Sequence, residues 1–134
     1  MPLLRRAVIQ HLKAQVSALG GRVYQAFLAP PGTARPYATV KAATSRGSIV
    51  ISYAGTQTIE VRLYDDPASA VALDQIEVAV ISALHGIEIQ DAAESPPGTY
   101  RLDWVPGGGD FHDDEMGLIG RLMVFEAALL FERG

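Results

Sequence analysis

No cysteine occurs anywhere in the sequence, which excludes disulfides, thiolate metal sites and cysteine nucleophiles. Positive charge is also scarce: 11 Lys and Arg stand against 15 Asp and Glu, for a formal net charge of −4 and a pI near 5.2. A domain that holds phosphate backbones over its whole surface needs the opposite balance, so direct nucleic-acid binding is not expected. Long apolar runs are missing as well, and none approaches the about 20 residues that a membrane-crossing helix needs. Gln10, His11 and Lys13 interrupt the stretch that follows Arg5 and Arg6, so a secretory signal is not expected. Internal repeats and low-complexity tracts are absent.

What remains is a chain of 134 residues, 49% of them hydrophobic, a size and composition that predict one folded, soluble domain over 1–134. Leu4, Val8, Leu12, Val16 and Leu19 recur at spacings of three and four. That places them on one stripe of a helix over 2–19, stopped by Gly20-Gly21. Arg5, Arg6, Gln10 and Lys13 fall mostly on its solvated side.

Strand patterns follow. Arg22 to Leu28 alternates loosely before the turn at Pro30-Pro31-Gly32, and Tyr37 to Ala42 and Ile49 to Tyr53 are rich in strand formers. In Thr56 to Tyr64, Ile59, Val61 and Leu63 alternate with Glu60, Arg62 and Tyr64, the signature of a strand with one face on a core. These segments predict an antiparallel meander. Asp65-Asp66-Pro67 is a helix-opening turn, and Val71, Ile76, Val80 and Leu84, helped by Leu73, Ala79 and Ala83, predict an apolar helix face ending at His85-Gly86. Short strands are expected at Ile87 to Gln90 and Tyr100 to Val105, and a long final strand from Leu118 to Phe131. The fold class is therefore α+β, a mostly antiparallel sheet flanked by two helices.

Chemistry-bearing patterns are few. Pro106 to Gly117 is expected to form a mobile loop in which Asp110, His112, Asp113, Asp114 and Glu115 cluster. The spacing lacks the alternate acidic ligands and central glycine of a calcium loop, so solvated acids are the better reading than a metal site. Gly107-Gly108-Gly109 lacks the lysine and Ser/Thr of a phosphate cradle and is followed by repelling acids, so mobility accounts for the glycines. His11 on the first helix and His85, placed as a cation at the end of the second, are expected to be structural. No serine sits in a nucleophile elbow. No catalytic residue, cofactor or metal is assigned.

The order of elements carries a resemblance. Leu4 and Val8 in the first helix, Arg22-Val23-Tyr24 after Gly20-Gly21, and Arg35-Pro36-Tyr37-Ala38-Thr39-Val40 belong to it, as does Thr58 to Tyr64 leading into Ala70 to Leu84. Over nearly the whole chain this order resembles the tail-terminator or tail-completion proteins of long-tailed bacteriophages and gene transfer agents. The resemblance implies a non-enzymatic virion protein, assembled in the host cytoplasm. It would form a sixfold ring on the head-proximal end of the tail tube, ending tube polymerisation and joining the tail to the head connector or stopper. Its implied partners are its own copies, the tube protein and the connector, with DNA passing through unbound and no membrane involved. A head-closure or connector-adaptor role in the neck, or a small ligand-binding α+β domain, is the alternative. Candidate interface or lumen residues are Pro30, Pro31, Arg35, Asp110, Phe111, His112, Asp113, Asp114 and Glu115. Within that set Asp110, Asp113, Asp114 and Glu115 would repel the DNA backbone from a lumen wall.

Overall fold

A computed structural model describes residues 2–26, 28–30, 32–44, 56–66, 70–90, 99–113 and 117–129. The expected strand at Ile49 to Tyr53 and the loop around Ser95-Pro96-Pro97-Gly98 lie outside these residues.

Helix α1 spans Pro2–Gln15, and a single 3-10 turn, Ser17–Leu19, carries the chain to Gly20, which takes a left-handed conformation with φ 56°. The expected stripe is the buried one: Leu4, Val8, Leu12, Val16 and Leu19 are all core residues. Burying each such aliphatic side chain contributes about 1.5–3 kcal/mol, which is what fixes α1 to the rest of the fold.

Among the described residues six strands form one sheet, with the spatial order β1-β2-β3-β6-β5-β4. They are β1 (Val23–Gln25), β2 (Tyr37–Thr44), β3 (Thr56–Asp65), β4 (Glu88–Gln90), β5 (Thr99–Asp113) and β6 (Leu118–Leu129). Every pairing is antiparallel except β1 with β2, which is parallel in the register Val23↔Ala38. This corrects the expected meander at its first step. Residues 26–36 carry the chain back so that β2 starts beside the start of β1, a return too long for a tight hairpin. The α+β class stands as read from the sequence.

Ile59, Val61 and Leu63 are fully buried, as their alternation predicts, and β6 lays Phe125 and Met123 beside them in the register Ile59↔Phe125 and Val61↔Met123. The final apolar run is a strand over Leu118–Leu129, where central pairing between β3 and β5 outweighs the helical tendency of its alanines and leucines.

Helix α2 spans Ala70–Leu84 and packs over β3, β5 and β6. Its described start is later than the acidic turn suggests; Pro67 lies outside the described residues, Asp65 ends β3, and Asp66 pairs elsewhere. Its core face is Leu73, Ile76, Val80 and Leu84, whereas Val71, expected in the core, is 71% exposed. The reason is angular: at 100° per residue, Val71 falls on the opposite side from Leu73, with Gln75 and Val78. Helix α1 contacts β1 and β2 at one border of the sheet, β4 at the other, and α2 alongside. The sheet curls around it. His11 ties the two helices, its Nε2 lying 3.0 Å from the Ala83 carbonyl oxygen.

Candidate interaction surface

The segment expected to be a loop is instead paired strand. β5 runs through Asp113 and pairs with β6 along its length, from Tyr100↔Leu129 to Asp113↔Leu118, with a register shift between Val105 and Gly109. The shift is a β-bulge, and the glycines serve it. A Cβ on Gly108 would lie 1.8 Å from the Leu122 carbonyl oxygen, and Gly107 has φ 140°. Close approach and a conformation that L side chains avoid, not mobility, account for this glycine run. Asp114 and Glu115 lie outside the described residues, and the turn is rejoined at Gly117 with φ 64°.

The bulge borders an open cleft between α2 and the β5-β6 hairpin, lined by Asp74, Glu77, Trp104, Asp110, Arg121 and the glycine run. Arg121 organises it. Its Nε donates to Asp110 Oδ1 at 2.7 Å across the β5-β6 pair, its Nη1 donates to Asp74, and Glu77 lies 3.6 Å away. The Arg121 side chain is 13% exposed while Asp74 and Asp110 are about two-thirds exposed. The hydrogen bond donated to Asp110 holds the guanidinium above its already high ordinary pKa; burial opposes this, and Asp74 reinforces it. Three carboxylates thus share one cation, and the cleft keeps a negative excess.

On the other sheet face an aromatic row crosses four strands. Tyr37, Tyr64, Gly120 and Phe111 stand opposite one another in register over β2, β3, β6 and β5. Tyr37 and Tyr64 stack with centroids 4.8 Å apart, and the Phe111 ring meets Tyr64 edge-on at 5.5 Å. Burial, then the neighbouring Tyr64, pushes the Tyr37 phenol above its usual pKa.

The remaining sequence candidates separate. Arg35 is structural in this fold: it pairs with Asp66 at 2.6 Å and donates to the Gly117 carbonyl at 3.3 Å, joining the β1-β2 connection to the end of the β5-β6 hairpin. Pro30 is exposed in that connection, and Pro31 lies outside the described residues. His112 is exposed on β5 and Asp113 half-buried beside it. His85, just past the end of α2, makes a structural contact: its Nδ1 accepts the Trp104 backbone N–H at 2.9 Å, continuing the β4-β5 ladder with a side chain. Among the described residues no three His, Asp or Glu side chains are gathered to hold a metal ion, and no helix is long and apolar enough to cross a membrane. Sequence reasoning missed Trp104, Arg121 and α2's Asp74 and Glu77, whose grouping depends on sheet pairing.

No family model and no curated protein matches the chain. Among solved structures it is similar to a chain of the virion of a native gene transfer agent particle, with a TM-score of 0.72 and 22% identity over 94% of this chain and 93% of that chain. A second solved structure is similar at a TM-score of 0.68 and 14% identity, covering 99% of this chain and 97% of that chain. At these identities the likeness is one of fold, and it spans both chains almost end to end: this chain has the α+β fold seen in a gene transfer agent virion.

Proposed function

We propose that the chain is a structural protein of a phage-like particle. It acts as a tail terminator, forming a ring, sixfold by the resemblance, on the head-proximal end of the tail tube and joining the tail to the head connector. The observation that carries the reading is the end-to-end fold likeness to a chain of a gene transfer agent virion. The order of sequence elements supports the same reading independently. The work is done by surfaces: a ring closes when one face of each subunit fits a different face of the next, and its two ends then differ. No bond-making step is involved. Asp110 is engaged by Arg121, which removes it from the repelling lumen wall that this reading gives to the acidic residues near the β5-β6 turn.

Electron microscopy of the purified protein, alone and mixed with the tube protein of the same particle, tests the reading. Rings of uniform size seated on tube ends, with tube growth stopped, are the expected result. Rings that bind a connector and ignore the tube would assign a different neck position. A monomer that binds neither would overturn the proposal.

A further inference from the structure

Exposed apolar side chains are unevenly placed on this surface. Among the described residues the large ones are Leu28, Val71 at 71%, Val78 at 63% and Trp104 at 40% exposure; Trp104 lines the cleft, and Val71 and Val78 lie on the helix that supplies Asp74 and Glu77 to it. Val71 and Val78 flank Asp74 along α2 at i−3 and i+4, positions that share a helix surface with it. Trp104 lines the opposite wall. The result is an apolar patch set around carboxylates that outnumber their one cation, Arg121. Apolar groups left in water beside unbalanced charge mark a contact surface.

The complementary charge lies on the same chain. Arg35, Arg62, Arg101 and Arg121 are in ion pairs, and Arg22 donates to the Pro36 carbonyl. Arg5, Arg6 and Lys13 on α1, and Lys41 on β2, are in no ion pair among the described residues, so α1 holds three of these four cations. Arg6, Gln10 and Lys13 are exposed at i, i+4 and i+7, a single stripe on the helix side away from the core. No ion pair within one copy joins this stripe to the acidic cleft.

We infer that the basic α1 stripe of one copy docks into the Val71, Val78 and Trp104 patch around Asp74 and Asp110 of the next copy. The two halves are different surfaces of one chain, and a contact between them made head-to-tail can repeat around a ring. Desolvating Trp104 beside a cation adds an attraction that neither half has alone. Charge pairing of this kind sets register and speeds encounter more than it sets bulk affinity, while the apolar groups supply burial. The inference rests on the self-assembly proposed above and names the surfaces that produce it.

Two variants separate the halves. Arg6→Ser with Lys13→Ser removes the charge of the stripe, and Val71→Lys with Val78→Lys makes the patch repel it; all four positions are exposed, and thermal melts check that each variant is folded. Sedimentation equilibrium of the wild type, each variant and their equal mixture gives the answer. Each variant alone should associate on the order of tenfold or more weakly than the wild type. The mixture should yield a one-to-one dimer that grows no further, because only one intact pair of surfaces remains. Wild-type association should also weaken between about 0.05 and 0.5 M salt, which checks the charge component without any substitution. Oligomers that survive in either variant, a mixture that stays monomeric, or salt-independent association would overturn this contact and leave the ring reading standing. A monomeric wild type would overturn this contact, and one that also binds neither tube nor connector would overturn both.

Discussion

The ring of Phe111 lies on Gly120, so close that a Cβ added to the glycine would fall 2.2 Å from the ring's Cζ. The two residues are direct cross-strand partners, and the missing side chain is what lets the aromatic row continue from Tyr64 to Phe111. A glycine in a central strand is a weakness that an overlying aromatic ring offsets. Gly120→Ala should therefore lower the unfolding free energy by about 1–3 kcal/mol through overpacking. Urea titration of Gly120→Ala, Phe111→Ala and the double variant should show a double loss smaller than the two single losses combined, because removing the ring removes the clash.

The bulge allows a sharper comparison between adjacent glycines. A Cβ at Gly108 meets backbone, the Leu122 carbonyl, whereas at Gly109 nothing lies within 4 Å. Gly108→Ala should cost about 2 kcal/mol or more, since the β5-β6 main chains must separate. Gly109→Ala should be neutral within about 1 kcal/mol. Equal effects in denaturant melts would remove the bulge from this account.

Arg121 joins β6 to β5 and α2 through carboxylates 11 and 47 residues away in sequence. Arg121→Met should cost about 1–2 kcal/mol, limited because Asp74 and Asp110 are exposed to solvent. Arg121→Lys should recover little of that loss, since an ammonium cannot present the planar fork that reaches two carboxylates from different nitrogens. Hydrogen exchange should report the loss along the β5-β6 hairpin first.

The Tyr37 phenol sets an alkaline limit. Its folded pKa lies above the unfolded value, about 10 for a free tyrosine. Its contribution to stability is therefore fully present below about pH 10 and is lost as the pH rises through the folded pKa. Melting temperature should hold constant through neutral pH and drop above about pH 10, and Tyr37→Phe should flatten that drop.

The parts of the fold that could be read from sequence are those whose partners do not matter to the pattern. The five-residue stripe that runs from α1 into the 3-10 turn, and the alternation of Ile59, Val61 and Leu63, name buried faces whatever packs on them. Pro106 to Gly109 read as a loop because proline and glycine lower strand propensity. The opposing residue that makes glycine necessary, Leu122, is remote in sequence and invisible to local pattern. Val71 was assigned to the core for being apolar, although its angle from Leu73 already opposed that. The Arg121 cluster and the cleft beside Trp104 arise only once β5, β6 and α2 are assembled, so no spacing in the chain announces them.

Because α1 touches β1 and β2 at one sheet border and β4 at the other, this helix cannot take its final seat until residues 88–90 have been made. The central β3-β6 pairing waits longer, until residue 128 is available to meet Thr56. Such remote pairings favour slow acquisition of structure, and they delay completion of the sheet until β6 has been synthesised. A nascent chain that lacks β6 would then have no finished sheet surface to offer a partner.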